Sequence, residues 1–482
     1  MTNLSDLFPA GAGKQVSFVA SGTLSNGQAV GLTSDGKVKA LSSAIGPEDV
    51  FQAAATYPAT NSVYDSNAQK VVMPYDSGGS GKAVVASVSG NTVTHGTPVQ
   101  FESGSSGYIS GAFDSSTNNV VFAYYDYHNS SYGTAVVGTV SGSSITFGTP
   151  VVFNTASTSF TSTVFDSSNN RIAIAYRDNG NSNYGTAKVG TVSGTAGTAT
   201  IAFGSATVFE SATITYLSGT FDSNSNKVVF TYVDGGNSSY GTAIVGTVTT
   251  GPDAISFGSA AVFESVPVNY GATTFDSNSN KVVHTYSGTS EAGRAVVGTV
   301  SGTSISFGTP ATFQDLAITV GCTFDTSANQ VIIVYRYQVG SGTRYGRVVK
   351  GTVSGTSISF STPENFSSLA IAYAVCVAYD ANANRSVISF QQAPNDYGTS
   401  VAYNNAAFEP SNFIGITDAA ISDTASGNVT IKGGISTSVT GLTPASDYYV
   451  QGDGSISTTS TSPAVKIGKA LSATAINLEY TS

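Results

Sequence analysis

Tryptophan is absent from this 482-residue chain, cysteine and methionine occur twice each, and histidine three times. Ionisable groups are scarce as well, with 19 Lys and Arg against 29 Asp and Glu. Each shortage excludes something. Two cysteines cannot build a disulfide framework. No Cys/His metal spacing, Gly-x-Ser-x-Gly elbow or phosphate-binding loop occurs, so no catalytic residue, metal site or cofactor is expected and any enzyme chemistry would fall to carboxylates alone. A net charge of −10 without a basic cluster argues against nucleic acid as a partner. No run approaches membrane-spanning length, and Met1 to Leu7 lacks the basic start and apolar stretch of a signal peptide. Neither membrane insertion nor signal-dependent export is expected.

What is present is repetition. Phe221-Asp222-Ser223-Asn224-Ser225-Asn226-Lys227-Val228-Val229 recurs, lightly edited, with its aspartate at Asp65, Asp114, Asp166, Asp222, Asp276, Asp325 and Asp380. The spacing, from 49 to 56 residues, is that of a propeller blade. In the fourth copy four strand-length runs rich in Val, Ile, Thr, Phe and Tyr stand at Tyr216–Phe221, Lys227–Tyr232, Tyr240–Val248 and Ala254–Phe263. The Asp-Ser-Asn-Ser-Asn segment joins the first two runs and a Gly turn, such as Ser141-Gly142-Ser143, joins the last two. The expected fold is all-β: a seven-bladed β-propeller over residues 43–410, inserted in a small β-domain formed by residues 15–42 with 411–482, preceded by an arm over residues 1–14.

The outer strand ends in a Pro-x-x-Phe-like pattern at Phe101, Phe153, Phe209, Phe263, Phe313 and Phe366, one short of seven. Gly46-Pro47-Glu48-Asp49-Val50-Phe51 precedes the first copy and supplies the missing strand. The N-terminal segment is therefore expected to close the last blade beside Ser400–Tyr403, which leaves no open sheet edge. Cys322 and Cys376 fall on first strands of neighbouring copies with offsets that send them to opposite faces, so free thiols are expected. His95 and His284 replace phenylalanines at packing positions, and His128 falls in a polar loop.

Two recurring constellations are candidates for function. The repeated aspartates resemble the start of a calcium loop, but the later Gly and bidentate Glu are missing. An aspartate that accepts backbone N–H bonds two residues on explains them as turns. The second constellation joins the second run to the third: Tyr124, Asp126, Asn129 and Tyr132, then Tyr176, Asp178, Asn181 and Tyr184, then Tyr232, Asp234, Asn237 and Tyr240. Tyr rings with Asp and Asn groups can stack on a sugar and bond its hydroxyls; the alternative is that Asp caps the loop and Tyr packs between blades. The sixth copy differs, with an Arg/Tyr-rich loop at Arg336, Tyr337, Arg344 and Tyr345.

The Phe-Asp-Ser-Ser-Asn-Asn, Tyr-Gly-Thr-Ala-x-Val-Gly-Thr-Val-Ser-Gly and Phe-Gly-Thr-Pro-x-x-Phe segments, over residues 43–409, resemble blades of virion structural and tail-fibre-like proteins of tailed, particularly marine, bacteriophages. Gly441 to Val450 with Gly454 and Lys466 to Ser472 is similar to a small β-module at the C-termini of phage appendage proteins. The resemblance implies a virion surface protein, assembled in the host cytoplasm, with other virion proteins as partners; host-surface glycans and a second copy of the chain are further options. It carries over no site residue. Three functions stay open: a non-enzymatic tail or head fibre that binds glycans, a capsid decoration protein, and a carbohydrate-active propeller enzyme with a carboxylate pair brought together across blades.

Overall fold

The computed structural model describes residues 14–33, 35–42, 44–339, 343–405, 412–452, 454–460 and 464–479. Apart from Lys14, the arm expected over residues 1–14 lies outside them. Regular structure among the described residues is β, interrupted by three 3-10 turns. Two compact units emerge, one of them Gly46–Asn405 and the other drawn from both ends of the chain.

Gly46–Asn405 is a β-propeller. Each repeat folds into one antiparallel meander: in the fourth, Thr207–Asp222 pairs through its distal half with Lys227–Asp234, which pairs with Tyr240–Thr249. The outermost strand, expected to be continuous over 254–263, is two segments, Ala254–Phe257 and Ala261–Pro267, which pair with opposite halves of Tyr240–Thr249. The break falls at Phe-Gly-Thr-Pro, where proline, in the copies that carry it, has no N–H to donate. Glycine is needed there because a Cβ on Gly258 would overlap the carbonyl of Thr303 in the next blade.

The pairing resolves into seven such sheets among the described residues. Their innermost strands, which begin with Val63–Asp65 and Ser106–Asp114 and end with the distal half of Glu364–Asp380, each touch the next, and the last touches the first. The ring closes through Asp49–Pro58, whose Gln52 and Val50 pair with Gly398 and Thr399 of Tyr397–Tyr403. Glu48 reinforces the seam by accepting from the Ser367 hydroxyl and the Gln392 amide, at 2.7 and 2.6 Å. His95 crosses it, with Nδ1 2.6 Å from Asp49 and Nε2 3.0 Å from the Ser400 hydroxyl.

One packing device recurs around the ring. The outer-strand phenylalanine of each blade packs against an aromatic on the second strand of the next: Phe101 on Tyr124, Phe153 on Tyr176, Phe209 on Tyr232, Phe263 on Tyr286, Phe313 on Tyr335 and Phe366 on Phe390, with centroids 5.1–5.4 Å apart. Phe51 does the same to Tyr75 at 5.2 Å, so the seam copies every other joint. The glycine of each Tyr-Gly-Thr makes room: a Cβ on Gly133 would lie 2.5 Å from Phe153 Cε2, and Gly398 is placed likewise against Phe51.

Among its described residues the terminal unit holds two five-stranded sheets. Gln15–Val19, Ser426–Ile431, Phe413–Thr417, Ala29–Leu32 and Val38–Ala40 lie side by side in that order. The second sheet draws only on the C-terminal segment, from Ile435–Ser436 to Ala475–Leu478. Ala29 and Leu41 join Ile416, Tyr448, Val450 and Ile467 in one core, so the two chain ends are packed together.

Candidate functional site

The seven aspartate turns are structural in their bonding. Asp222 Oδ1 accepts from the amides of Asn224 and Ser225 at 2.9 and 3.0 Å, and Asp65, Asp114, Asp166, Asp276, Asp325 and Asp380 repeat the pattern. The fourth residue after the aspartate is left-handed in every copy and is Asn in six, from Asn118 to Asn384, with Gln69 in the first. Asn tolerates that backbone better than most residues, which is why the motif repeats it.

The loops between second and third strands lie at the opposite end of the blades and clasp the connection to the adjacent blade. Tyr127 N donates to Ser105 O, Asn179 N to Ser157 O and Gly235 N to Thr213 O. Their aspartates are caps: Asp126 accepts from His128 N and Asn129 N, Asp178 from Gly180 N and the Asn154 amide, and Asp234 from Gly236 N. Tyr124, Tyr176 and Tyr232 are 0, 1 and 1 % exposed. They are the blade-joint residues described above and cannot stack on a sugar; the Tyr124 and Tyr232 hydroxyls donate to Glu102 and Glu210. Burial first, then the neighbouring Glu102, holds the Tyr124 hydroxyl well above the usual phenol range. Tyr132, Tyr184 and Tyr240 are half-buried, and Asn129, Asn181 and Asn237 are exposed. The loops therefore offer amides and ring edges rather than aromatic platforms.

An aromatic platform does exist beside them. Tyr108, Phe160, Tyr216 and Tyr270 each stand six residues before the turn aspartate, on the innermost strand, at the loop end of the central channel. Their rings follow one another around it, tilted by 41–64°, with Tyr108 to Phe160 4.6 Å, Phe160 to Tyr216 5.6 Å and Tyr216 to Tyr270 4.8 Å. Tyr125 backs Tyr108 at 5.9 Å. The Arg177 guanidinium lies 4.7 Å over Phe160 and is held by Ser159 Oγ and Asn179 Oδ1 at 2.8 and 2.9 Å. Tyr108 is 40 % exposed and Tyr57, across the mouth, 58 %.

Between these rings opens a cavity of about 520 Å³. Below the rings its wall carries the hydroxyls of Ser62, Ser110, Ser162 and Ser218 with Thr273 and Thr323. Cys322 also faces it and is a free thiol, as is Cys376; burial pushes both up to about 12, which leaves them unreactive at neutral pH. In the sixth blade Tyr337 is covered by Arg347, which lies 3.9 Å over its ring, while Arg336 Nη1 donates to Ala372 O at 2.6 Å and Arg344 Nε to Gln338 Oε1 at 3.4 Å. The signal that locates the mouth was present in the sequence, an aromatic at the same offset in four consecutive copies. It stands at the start of a strand, where it is indistinguishable from core.

No protein-family profile and no curated protein matches the chain. Solved structures do. The BP39L lectin from Burkholderia pseudomallei aligns at 12 % identity over 74 % of this chain and 97 % of its own, with a TM-score of 0.52. Hadza microbial sialidase Hz136 aligns at 10 % identity over 77 % and 70 %, with a TM-score of 0.45, and the Dos1 propeller at 12 % over 75 % and 95 %, with 0.43. At these identities the likeness to the lectin is one of fold.

Proposed function

We propose that the protein is a non-enzymatic, carbohydrate-binding propeller displayed on a bacteriophage particle as a tail or head fibre. The observation that carries the binding is the row of four aromatic rings at the rim of a hydroxyl-lined cavity, since rings that stay wet suit the apolar face of a sugar and neighbouring hydroxyls suit its polar edge. The lectin of similar fold agrees with it. The repeat and C-terminal motifs that resemble phage appendage blades support the virion setting, in which the terminal unit docks on other virion proteins and the propeller faces the host. Glycan arrays and host-cell binding with the purified chain test the binding, and immunogold microscopy of particles tests the location. Binding to neither glycans nor cells, together with a regular lattice position on the shell, would replace this reading with capsid decoration.

A further inference from the structure

We propose that the loop-side mouth of the central channel is one axial site per ring, taking the terminal residue of a neutral glycan. This rests on the carbohydrate reading above and narrows it from a ligand class to a place, a number and a charge.

Backbone strain is the first argument. Tyr108, Phe160, Tyr216, Tyr270 and Thr319 occupy the same position in five successive blades, with φ between +41° and +50°. For a bulky side chain that conformation is strained, and such residues cluster at ligand clamps. In each case the pairing with the second strand slips beside the strained residue, between Gly107 and Ser110, Ser159 and Ser162, Thr215 and Ser218, Asn269 and Gly271, and Ile318 and Val320. A bulge re-aims a side chain. Here the bulges accompany four rings at the mouth, where Tyr108 remains 40 % exposed and Phe160, Tyr216 and Tyr270 half-buried.

The second argument is asymmetry. At the turn end of the channel every blade carries an aromatic immediately before its aspartate, from Tyr64 to Tyr379, and a full set of equivalent residues reads as packing. At the loop end, among the described residues, the second to fifth blades carry a ring at this position, while Ala59 and Thr319 take it in the first and sixth and Tyr57 stands beside Ala59. The result is an uneven rim with four adjacent rings along one side of a single shared opening, a shape that admits one ligand per ring rather than one per blade. Among the described residues the lining itself contains no charged side chain, and Arg177 beside it is engaged with the Phe160 ring, Ser159 Oγ and Asn179 Oδ1, so a neutral ligand is favoured over an acidic one. The cavity of about 520 Å³, which runs from the mouth down to Tyr64 and Tyr379, is in the range of small-ligand pockets and has room for the end of a glycan.

The test is a titration of the full chain with neutral methyl hexosides, a methyl 6-deoxyhexoside, a methyl N-acetylhexosaminide and methyl glucuronide, followed by calorimetry and by tyrosine fluorescence, which no tryptophan obscures. At least one neutral glycoside is expected to bind at one per chain and the glucuronide to bind at least tenfold more weakly. Tyr216→Ala should weaken binding at least tenfold, and Asn181→Ala, on a loop, should leave it unchanged. Thr319→Tyr adds a ring at the position that carries one in the four preceding blades; it should narrow the mouth and abolish binding, which covers the case in which Tyr216→Ala does not fold. Three ligands per chain, or loss of binding in Asn181→Ala with Thr319→Tyr unaffected, would overturn the axial site and leave the carbohydrate reading standing. No binding by any glycoside would remove the carbohydrate reading itself.

Discussion

His284 shows how a single residue can carry a pH dependence without any role in binding. It occupies the second-strand position that Phe230 holds one blade earlier, 4.7 Å from Phe263 and stacked on Tyr286 at 5.6 Å, with Nδ1 2.9 and 3.1 Å from the Thr273 and Thr231 hydroxyls. Burial pulls its pKa from 6.5 down to about 3, so the native state keeps the ring neutral where the unfolded chain protonates it. The unfolded state then binds more protons between those values. Stability is present in full above about pH 6.5 and falls as the pH drops, by about 1.4 kcal/mol per pH unit from this group alone. His284→Phe should flatten the decline in melting temperature between pH 6.5 and 5 relative to the parent chain; scanning calorimetry across that window decides it. The sequence marked this histidine as a packing substitution, since its register with phenylalanines was visible. What it could not mark was the fate of Tyr124, Tyr176 and Tyr232. Their strands are sandwiched between blades and buried on both faces, so no polar alternation reveals which side a ring takes.

At the level of the strand, the Tyr-Gly-Thr and Pro-x-x-Phe motifs are two halves of one joint. The phenylalanine lies over the third-strand glycine of its own blade and against the aromatic of the next, so the spacing of motifs some twenty residues apart is set by a contact between them. Gly133→Ala should cost about 1–3 kcal/mol, because the new Cβ meets Phe153 Cε2 and Thr158 Oγ1 at 2.5 and 2.8 Å. Combining it with Phe153→Leu should cost less than the sum of the single changes, a coupling that urea unfolding of the four chains would measure. Both motifs were legible as repeats. Their partnership was not, because it depends on how the broken outer strand registers on the third strand of the same blade, and the bulges that aim Tyr108 and its equivalents are likewise a product of pairing rather than of local propensity.

For the molecule as a whole, the joint that matters most is the seam. Phe51→Ala removes the same ring that Phe209→Ala would remove elsewhere, and either change should cost about 3–5 kcal/mol. Only at the seam does the loss also loosen the strand that covers an open edge. Phe51→Ala is therefore expected to raise light scattering on mild heating well beyond Phe209→Ala at matched loss of stability; equal scattering would mean that the seam is no weaker than any other joint. The seam was the most readable part of the fold, since six Pro-x-x-Phe-like strands and one early orphan leave a single way to finish the ring.

The pairing of Val50 with Thr399 also has a temporal side. A ribosome delivers the closing strand before every other strand of the propeller and its partner after all of them, so residues 49–55 must remain unspent through the synthesis of every blade. Contacts this distant in sequence form slowly. An unfinished chain thus presents a bare β-strand at one end and an unfilled sheet at the other, complementary by construction. When many copies are made side by side, the strand of one chain can close the ring of its neighbour, and only the greater proximity of a chain's own two ends keeps assembly from becoming exchange.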